Sequence, residues 1–367
     1  MSGRLFSRIA AYGMPLGALV ALVPSYASAH EKWFYDSAPH PADFLASVGF
    51  PGFIGVACAG VLAAVVAWMS RTRGGRDFIP GPEALGATPE RRAGFYSVVP
   101  LILGFHVGVP LIVFGIRGEL FSPNNHLAGV PMYWVGVTEI GIGVCLLYGV
   151  LARVAGTMLA ALWVIGILVQ GLETMLENLY YLGFAFFFAF NGRGPYSIDR
   201  ILMPRLEPPD HLAVKAMSGL RICTGLALVV VSFTEKLANH NLSVAFLEEF
   251  RLNFSPWVGL PVSDEVFIVG AGATELLIGL CVVFGFFPRV IIFTTWLFIN
   301  LTLTIFNWIE LLGHFPIYGV MAVFLVWSSS PEDARLWLRG VFGRDDAREA
   351  APAAVLAAER SPILIPN

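Results

Sequence analysis

The sequence predicts an all-α, polytopic membrane protein: a tandem pair of four-helix transmembrane bundles with one extra span at the N-terminal side. Three observations predict it. The chain is 56% hydrophobic and only 13% charged, about half the charge of an ordinary soluble domain. Apolar runs of about 20 residues, long enough to cross a bilayer, recur along its length. One patterned stretch occurs twice in the same register.

The chain opens with Arg4 and Arg8, an apolar stretch over 9–23, and then Ala27-Ser28-Ala29. A basic start, a short apolar core and small residues before a cut site describe a secretory signal peptide, 1–29. Cleavage after Ala29 leaves His30 at the new N-terminus. There its α-amine and imidazole form a chelate suited to Cu(II), which prefers tetragonal nitrogen ligands. His40 is the nearest further nitrogen in sequence.

Residues 30–94 form an external segment, a first span at 47–69 and a cytoplasmic loop. Eight further spans are predicted at 96–116, 130–151, 154–172, 178–191, 216–235, 265–286, 290–308 and 315–328. With the mature N-terminus outside, the inner segments hold fifteen basic residues, among them Arg71, Arg73, Arg76, Arg153, Arg193, Arg200, Arg289 and Arg339. The outer segments hold four, Lys32, Arg117, Lys236 and Arg251. This bias fits the positive-inside rule and places the C-terminal tail, 331–367, in the cytoplasm of a cell whose inner membrane the protein crosses. The tail turns polar and then Ala-rich, a composition that predicts partial disorder.

The repeat aligns Gly136 to Val154 with Gly272 to Val290, with nine of nineteen positions identical. Identity at Gly, Thr, Glu, Cys and Arg together points to duplication. The units are 95–214, including a linker, and 215–330. Both start on the inside, so the repeats are parallel. The G-x-x-E-x-x-x-G pattern at 136–143 and 272–279, followed by a tight turn with Arg153 or Arg289, resembles the DoxX/DoxD family of membrane proteins. The resemblance covers both units and not the N-terminal segment or first span. It implies association with a redox system, such as the membrane subunit of a thiosulfate:quinone oxidoreductase. The chain departs from the family pattern in fusing two units and in its His-bearing N-terminal segment, so a sulfur substrate is not implied.

A carboxylate in the hydrocarbon region is costly and marks function by default. Glu139 and Glu275 sit at equivalent mid-span positions, as proton relays, quinone partners, metal ligands or interhelical hydrogen bonds. His106, in the middle of the 96–116 span, has Cys223 as its repeat mate, so this imidazole belongs to the first half alone. For that reason the first half is expected to carry the larger share of activity. Toward the outer ends, Gln170, Glu173 and Glu177 in one half are paired with Asn307, Glu310 and His314 in the other. Each trio falls on one helical face, and Glu310 with His314 makes an i, i+4 metal arm. Glu235 and Lys236 read as an interface pair with the lysine reaching toward water. Cys58, Cys145, Cys223 and Cys281 lie in apolar surroundings and form no CxxC pair.

These residues support four functions: a quinone-linked redox subunit that also docks a second redox subunit on the outer face; a copper or other transition-metal handler; a transporter; a structural subunit. Glu139, Glu275 and His106 are the candidate catalytic groups. Glu173, Glu177 and Glu310 are candidates for cofactor binding, and His30, His40 and His314 for metal. No nucleotide fingerprint, CxxCH or nucleophile elbow occurs, and no basic patch suits nucleic acid. Lipid is the one certain environment.

Overall fold

The computed structural model describes residues 30–43, 52–203, 210–328 and 330–343. The expected signal peptide therefore lies outside the described residues. The described chain is all-α, and the only β-type pairing is an isolated bridge between Glu119 and His126. The helices are α1 (Gly52–Thr72), α2 (Pro89–Arg117), α3 (Val130–Tyr148), α4 (Ala152–Gln170), α5 (Leu172–Glu177), α6 (Leu179–Asn191), α7 (Ile198–Leu202), α8 (Asp210–Val231, continued by a π turn Ser232–Leu237), α9 (His240–Phe250), α10 (Asp264–Phe284), α11 (Pro288–Phe324) and α12 (Pro331–Phe342). Seven of these runs are long and apolar enough to cross a membrane, and α6 is a shorter apolar helix. The protein is a multi-pass membrane protein. Leu168, Trp134 and Ile116 are largely exposed although apolar, as contact with lipid requires.

Local signals set the helix ends. Thr88, Ser263 and Ser330 each accept a hydrogen bond from the backbone two or three residues into α2, α10 and α12. Gly149 and Gly285 close α3 and α10 in the left-handed conformation.

The 37 residues of α11 would make a rod about 55 Å long if straight. Instead Arg289 Nε donates to the Leu325 carbonyl at 3.0 Å, so the run doubles back. The reversal is at Asn307, with φ 61° and ψ −158°. The two arms are the predicted spans 290–308 and 315–328. In the first half the same reversal occurs at Gly171 (φ 92°, ψ 164°), and Arg153 Nε donates to the Ala189 carbonyl at 2.9 Å.

The two units pack as near copies. Within them, α2 crosses α3 where a Cβ on Gly108 would meet the Gly143 carbonyl at 2.7 Å. In the second half α8 crosses α10 where one on Gly225 would meet the Gly279 carbonyl at 2.8 Å. Small residues let membrane helices approach to backbone contact. Between the units, α6 packs on α8 with Gly183 against Cys223, and the second arm of α11 packs on α2 with Gly319 against His106. The first helix of each unit thus meets the last of the other, a pseudo-two-fold arrangement of parallel repeats. α1 packs on α10, outside this symmetry, through Ala59, Leu237 and Leu276.

One reading needs correction. The outer trios were aligned one residue out of register. The reversal pairs Gly171 with Asn307, and the same i→i−4 bond runs from Asn178 Nδ2 to the Thr174 carbonyl and from His314 Nδ1 to the Glu310 carbonyl. The partners of Asn307, Glu310 and His314 are therefore Gly171, Thr174 and Asn178, not Gln170, Glu173 and Glu177. Both alignments set a polar residue of the first half opposite Glu310 and His314, so polarity alone does not fix the register. The tail begins with structure. α12 buries Trp337 and Asp333, and Asp333 binds Arg92 and Tyr96 of α2. The helix is only about three turns long and lies under a polar composition. Residues beyond 343 are outside the described set.

Candidate functional site

The polar residues gather at one end of the bundle, where the segment from His30 to Tyr35 lies across both units as a strap. A short 3-10 turn, Glu31–Trp33, shapes it. His30 and Glu31 are buried. Lys32 reaches the first unit, donating to Glu173 at 2.9 Å and Glu177 at 2.6 Å. His30 and Glu31 reach the second. His30 Nδ1 lies 3.3 Å from Glu235, and the Glu31 backbone N–H donates to the same carboxylate at 2.9 Å. The Ser243 hydroxyl donates to the Glu31 carboxylate at 2.8 Å.

Lys236 lies at the centre of the second unit's cluster. Its ammonium is 3.2 Å from Glu275, 3.6 Å from Glu235 and 3.8 Å from Glu31. Only 3% of its side chain is exposed, so it does not reach toward water as its place at a span end suggested. The π turn Ser232–Leu237 turns both Glu235 and Lys236 inward. Such turns insert a residue into a helix and are frequent at functional sites. Burial of this many charges is tolerable because they alternate in sign; removing one leaves its partners uncompensated.

Trp33 closes the strap over the second unit. Its ring stacks on His30 at 4.1 Å, lies 4.8 Å from His314, and rests on Gly313, where an added Cβ would come within 2.2 Å of it. The His30 and His314 rings are 5.2 Å apart. His314 Nδ1 bonds to the Glu310 carbonyl at 3.1 Å, which places the proton on Nδ1 and leaves Nε2 as an acceptor. Glu310 is fully buried and accepts from the Thr302 hydroxyl.

Below the strap, between α8, α10 and α11, lies a narrow cleft that is partly open to its surroundings. Its polar lining is His30, His314, Glu275, Thr274 and Thr295. Its apolar lining includes Leu228, Ala271, Ile278, Phe298, Ile299 and Ile317. The Thr274 hydroxyl is buried without a hydrogen-bond partner among the described residues.

Electrostatics of the strap follow from burial. Burial pulls the His30 pKa down, but the facing Glu235 carboxylate outweighs it and holds the value above that of a free imidazole. Burial pushes the Glu31 carboxyl up to about 8, with Lys236 opposing. Burial also raises Glu177, again opposed by its lysine partner, Lys32. Lys32 itself is held above its ordinary value, since its carboxylates outweigh burial.

Of the residues singled out in the sequence, His30, Glu173, Glu177, Glu275, Glu310 and His314 come together here. Three do not. Glu139 is fully buried in the first unit, accepting one hydrogen bond from the Phe121 backbone at 3.0 Å. His106 bonds to its own helix at Ile102 (2.8 Å) and stacks on Phe315 at 4.5 Å, at the contact between units. His40 lies on the strap's far side, its carbonyl bonded to Asn239. Sequence reasoning missed Lys32, Trp33, Ser243 and Thr274, and misread Glu235 and Lys236. Lys32 and Trp33 belong to an unbroken His-Glu-Lys-Trp run beside the expected cleavage point, and that density of chemistry was the available signal.

Among the described residues no three His, Cys, Asp or Glu side chains are grouped to hold a metal ion. Comparison with protein-family models, characterised proteins and solved structures finds no match, so the reading of this site rests on its own residues.

Proposed function

We propose that the protein is a DoxX-like redox subunit that binds a quinone in the cleft of its second unit, under the strap. The observation that carries this reading is the cleft's lining. A quinone needs an apolar slot for its ring and tail, and hydrogen-bonding groups for its two carbonyl oxygens. The aliphatic and aromatic wall supplies the slot, and Thr274, Glu275 and the two imidazoles supply the polar groups, the pattern expected of small-molecule sites. Reduction of a quinone to a quinol takes two electrons and two protons. The electrons come from a partner's cofactor, since this chain shows no nucleotide or haem motif. Protons reach the oxygens through groups able to exchange them, and Glu275, Lys236, Glu31, Glu235 and His30 form a continuous line from the cleft to the strap. The positive-inside bias puts that end on the outer face, where a soluble redox partner docks.

The test is quinol or quinone turnover by the purified protein with its partner, or with an artificial electron donor. The reading expects saturable quinone binding that Glu275→Ala and Trp33→Ala both weaken. Binding left intact in both variants excludes the cleft.

Copper fits less well. The geometry offers two imidazoles 5.2 Å apart, each with Nδ1 already bonded to oxygen, as ligating histidines have. An amine-plus-Nδ1 chelate at a mature His30 would compete with Glu235 for that same nitrogen, and His40 is elsewhere. No step is therefore derived through a metal, and metal analysis of the purified protein separates the two readings.

A further inference from the structure

At the other end of the first unit is a cavity that the redox reading does not use. It holds about 680 Å³ of empty space and is open on one side. Three arginines line it: Arg153 at the start of α4, Arg193 just after α6, and Arg200 in α7. Asp199 is the carboxylate in the lining, and both of its oxygens are engaged by the backbone N–H groups of Leu151 and Ala152 at 2.7 Å.

Arg153 and Arg193 bond to neutral carbonyls. Arg153 uses Nε on Ala189, Arg193 uses Nε and Nη2 on Leu146 and Leu147, and Arg200 uses Nη2 on Phe342. Among the described residues neither Arg153 nor Arg193 has a carboxylate within ion-pair distance. Arg193 is 2% exposed, and its Nη1 is buried without a hydrogen-bond partner. Burial draws its pKa down to about 10, so it remains charged at neutral pH. A buried charge with an unused donor is costly unless something pairs with it.

At the equivalent place in the second unit, the described side chains fill or bond across the space. The counterpart of Asn191 there is Trp327, buried against Tyr96 and Trp337, and the counterpart of Gly192 is Ser328, bonded to Asp333. Beside the first unit's arginines the lining turns apolar and exposed, at Leu151, Val154 and Met203, next to Ile201 and Leu202. Such a rim is apolar enough to lie against acyl chains. We propose that this cavity binds a phosphate group, held by the guanidiniums of Arg153, Arg193 and Arg200, with the apolar rim suited to the tail of a phospholipid. Guanidinium forks match phosphate oxygens, and basic pockets between membrane helices are the sites where anionic headgroups lodge.

The test uses the full-length protein in neutral detergent, read by native mass spectrometry and thermal shift. The probes are short-chain phosphatidylglycerol and inorganic phosphate. Saturable binding of the lipid with no effect of inorganic phosphate identifies a headgroup site. Competition by inorganic phosphate identifies a site for the free anion. In both cases Arg153→Gln with Arg200→Gln weakens binding at least about 10-fold, the size expected for lost charged hydrogen bonds. Arg193 is left intact because it also clamps α3. If the double variant does not fold, Arg200→Gln alone is read, with the same direction. No saturable binding of either probe, or unchanged binding in a folded variant, overturns the proposal.

Discussion

The two halves share a scaffold and diverge in how each treats its mid-span glutamate. In the first half, α2 stops at Arg117 with Gly118 in the left-handed region, and Glu139 is sealed beneath with a single backbone donor. In the second half the equivalent helix runs on as a π turn, and the counterparts of Gly118 and Glu119 are Glu235 and Lys236. Lys236 meets Glu275, and a cleft opens beside them. The opposite end shows a second divergence. The carbonyls of Leu146 and Leu147 in one half, and of Val282 and Val283 in the other, are each clamped by an arginine. In the second half it is Arg221, from the first helix. In the first half that helix carries Gly104 at the same place, and Arg193 reaches in from the far side to fill the gap, its Nε 2.3 Å from where a Gly104 Cβ would sit. The two halves keep the same backbone contacts and differ in side-chain chemistry, and the proposed quinone cleft lies in the second.

The sharpest way to break this comparison is to treat the two glutamates alike. Glutamine is nearly isosteric and keeps hydrogen-bonding capacity. Glu275→Gln should slow quinone turnover by about 10²–10⁴-fold, the usual effect of losing a positioned proton donor. Glu139→Gln should change it by less than about threefold. That reverses the expectation from His106, which turned out to pack against Gly319 at the contact between the units. Equal losses would mean that both halves work.

Next in size is the central cation. Lys236→Met leaves Glu31, Glu235 and Glu275 facing one another and should cost about 3–5 kcal/mol of stability. Arg117→Met removes a partly exposed partner of Glu119, which keeps His126 at 3.6 Å, and should cost less than Lys236→Met. Thermal unfolding in detergent compares them, and a similar cost for both would remove Lys236 from its central place.

The strap should respond to pH. Glu31 has a folded-state value near 8 against an ordinary 4.5, so its proton favours the docked strap. His30 is also raised, so its proton acts in the same direction. Docking then weakens as pH rises from about 4.5 toward 8. Hydrogen exchange of the amides at 31–35 should quicken over that range, and Glu31→Gln should flatten the change. Exchange that slows with pH, after correction for intrinsic rates, contradicts the assignment.

The smallest effect concerns the reversals. Asn307 holds a conformation otherwise kept for glycine, at a cost of about 1 kcal/mol or more. Asn307→Gly should stabilise by about 0.5–1 kcal/mol, and Gly171→Ala should destabilise by about 1–3 kcal/mol. Opposite signs at matched positions would support the shared register of the two turns.

Much of the fold was legible because membrane spans announce themselves by length, and Gly-Thr-Glu-Cys-Arg identity survives duplication. The nine apolar segments, the parallel repeat and the pairing of Glu139 with Glu275 could all be read. Half of the site was legible too, because acids and imidazoles in apolar sequence stand out. What was hidden depends on long-range contact. Nothing local tells that Lys32 crosses to Glu173, or that a π turn swings Lys236 inward. A one-residue slip at 171–178 keeps a polar residue opposite Glu310 and His314, and only the matching of Arg153 to Ala189 with Arg289 to Leu325 fixes the register. His106 stands apart from the strap, and the glycine opposite it, which supplies the space it fills, is distant in sequence.

The central claim is that chemistry is confined to the second half, beneath the strap. A photoactivatable quinone, cross-linked to the purified protein and mapped by peptide mass spectrometry, tests it most directly. The account predicts label on the α10 and α11 segments that carry Thr274, Glu275 and His314, lost on competition with unlabelled quinone and reduced in Trp33→Ala. Competable label on α2 and α3 around Glu139, with none on α10 or α11, would contradict it.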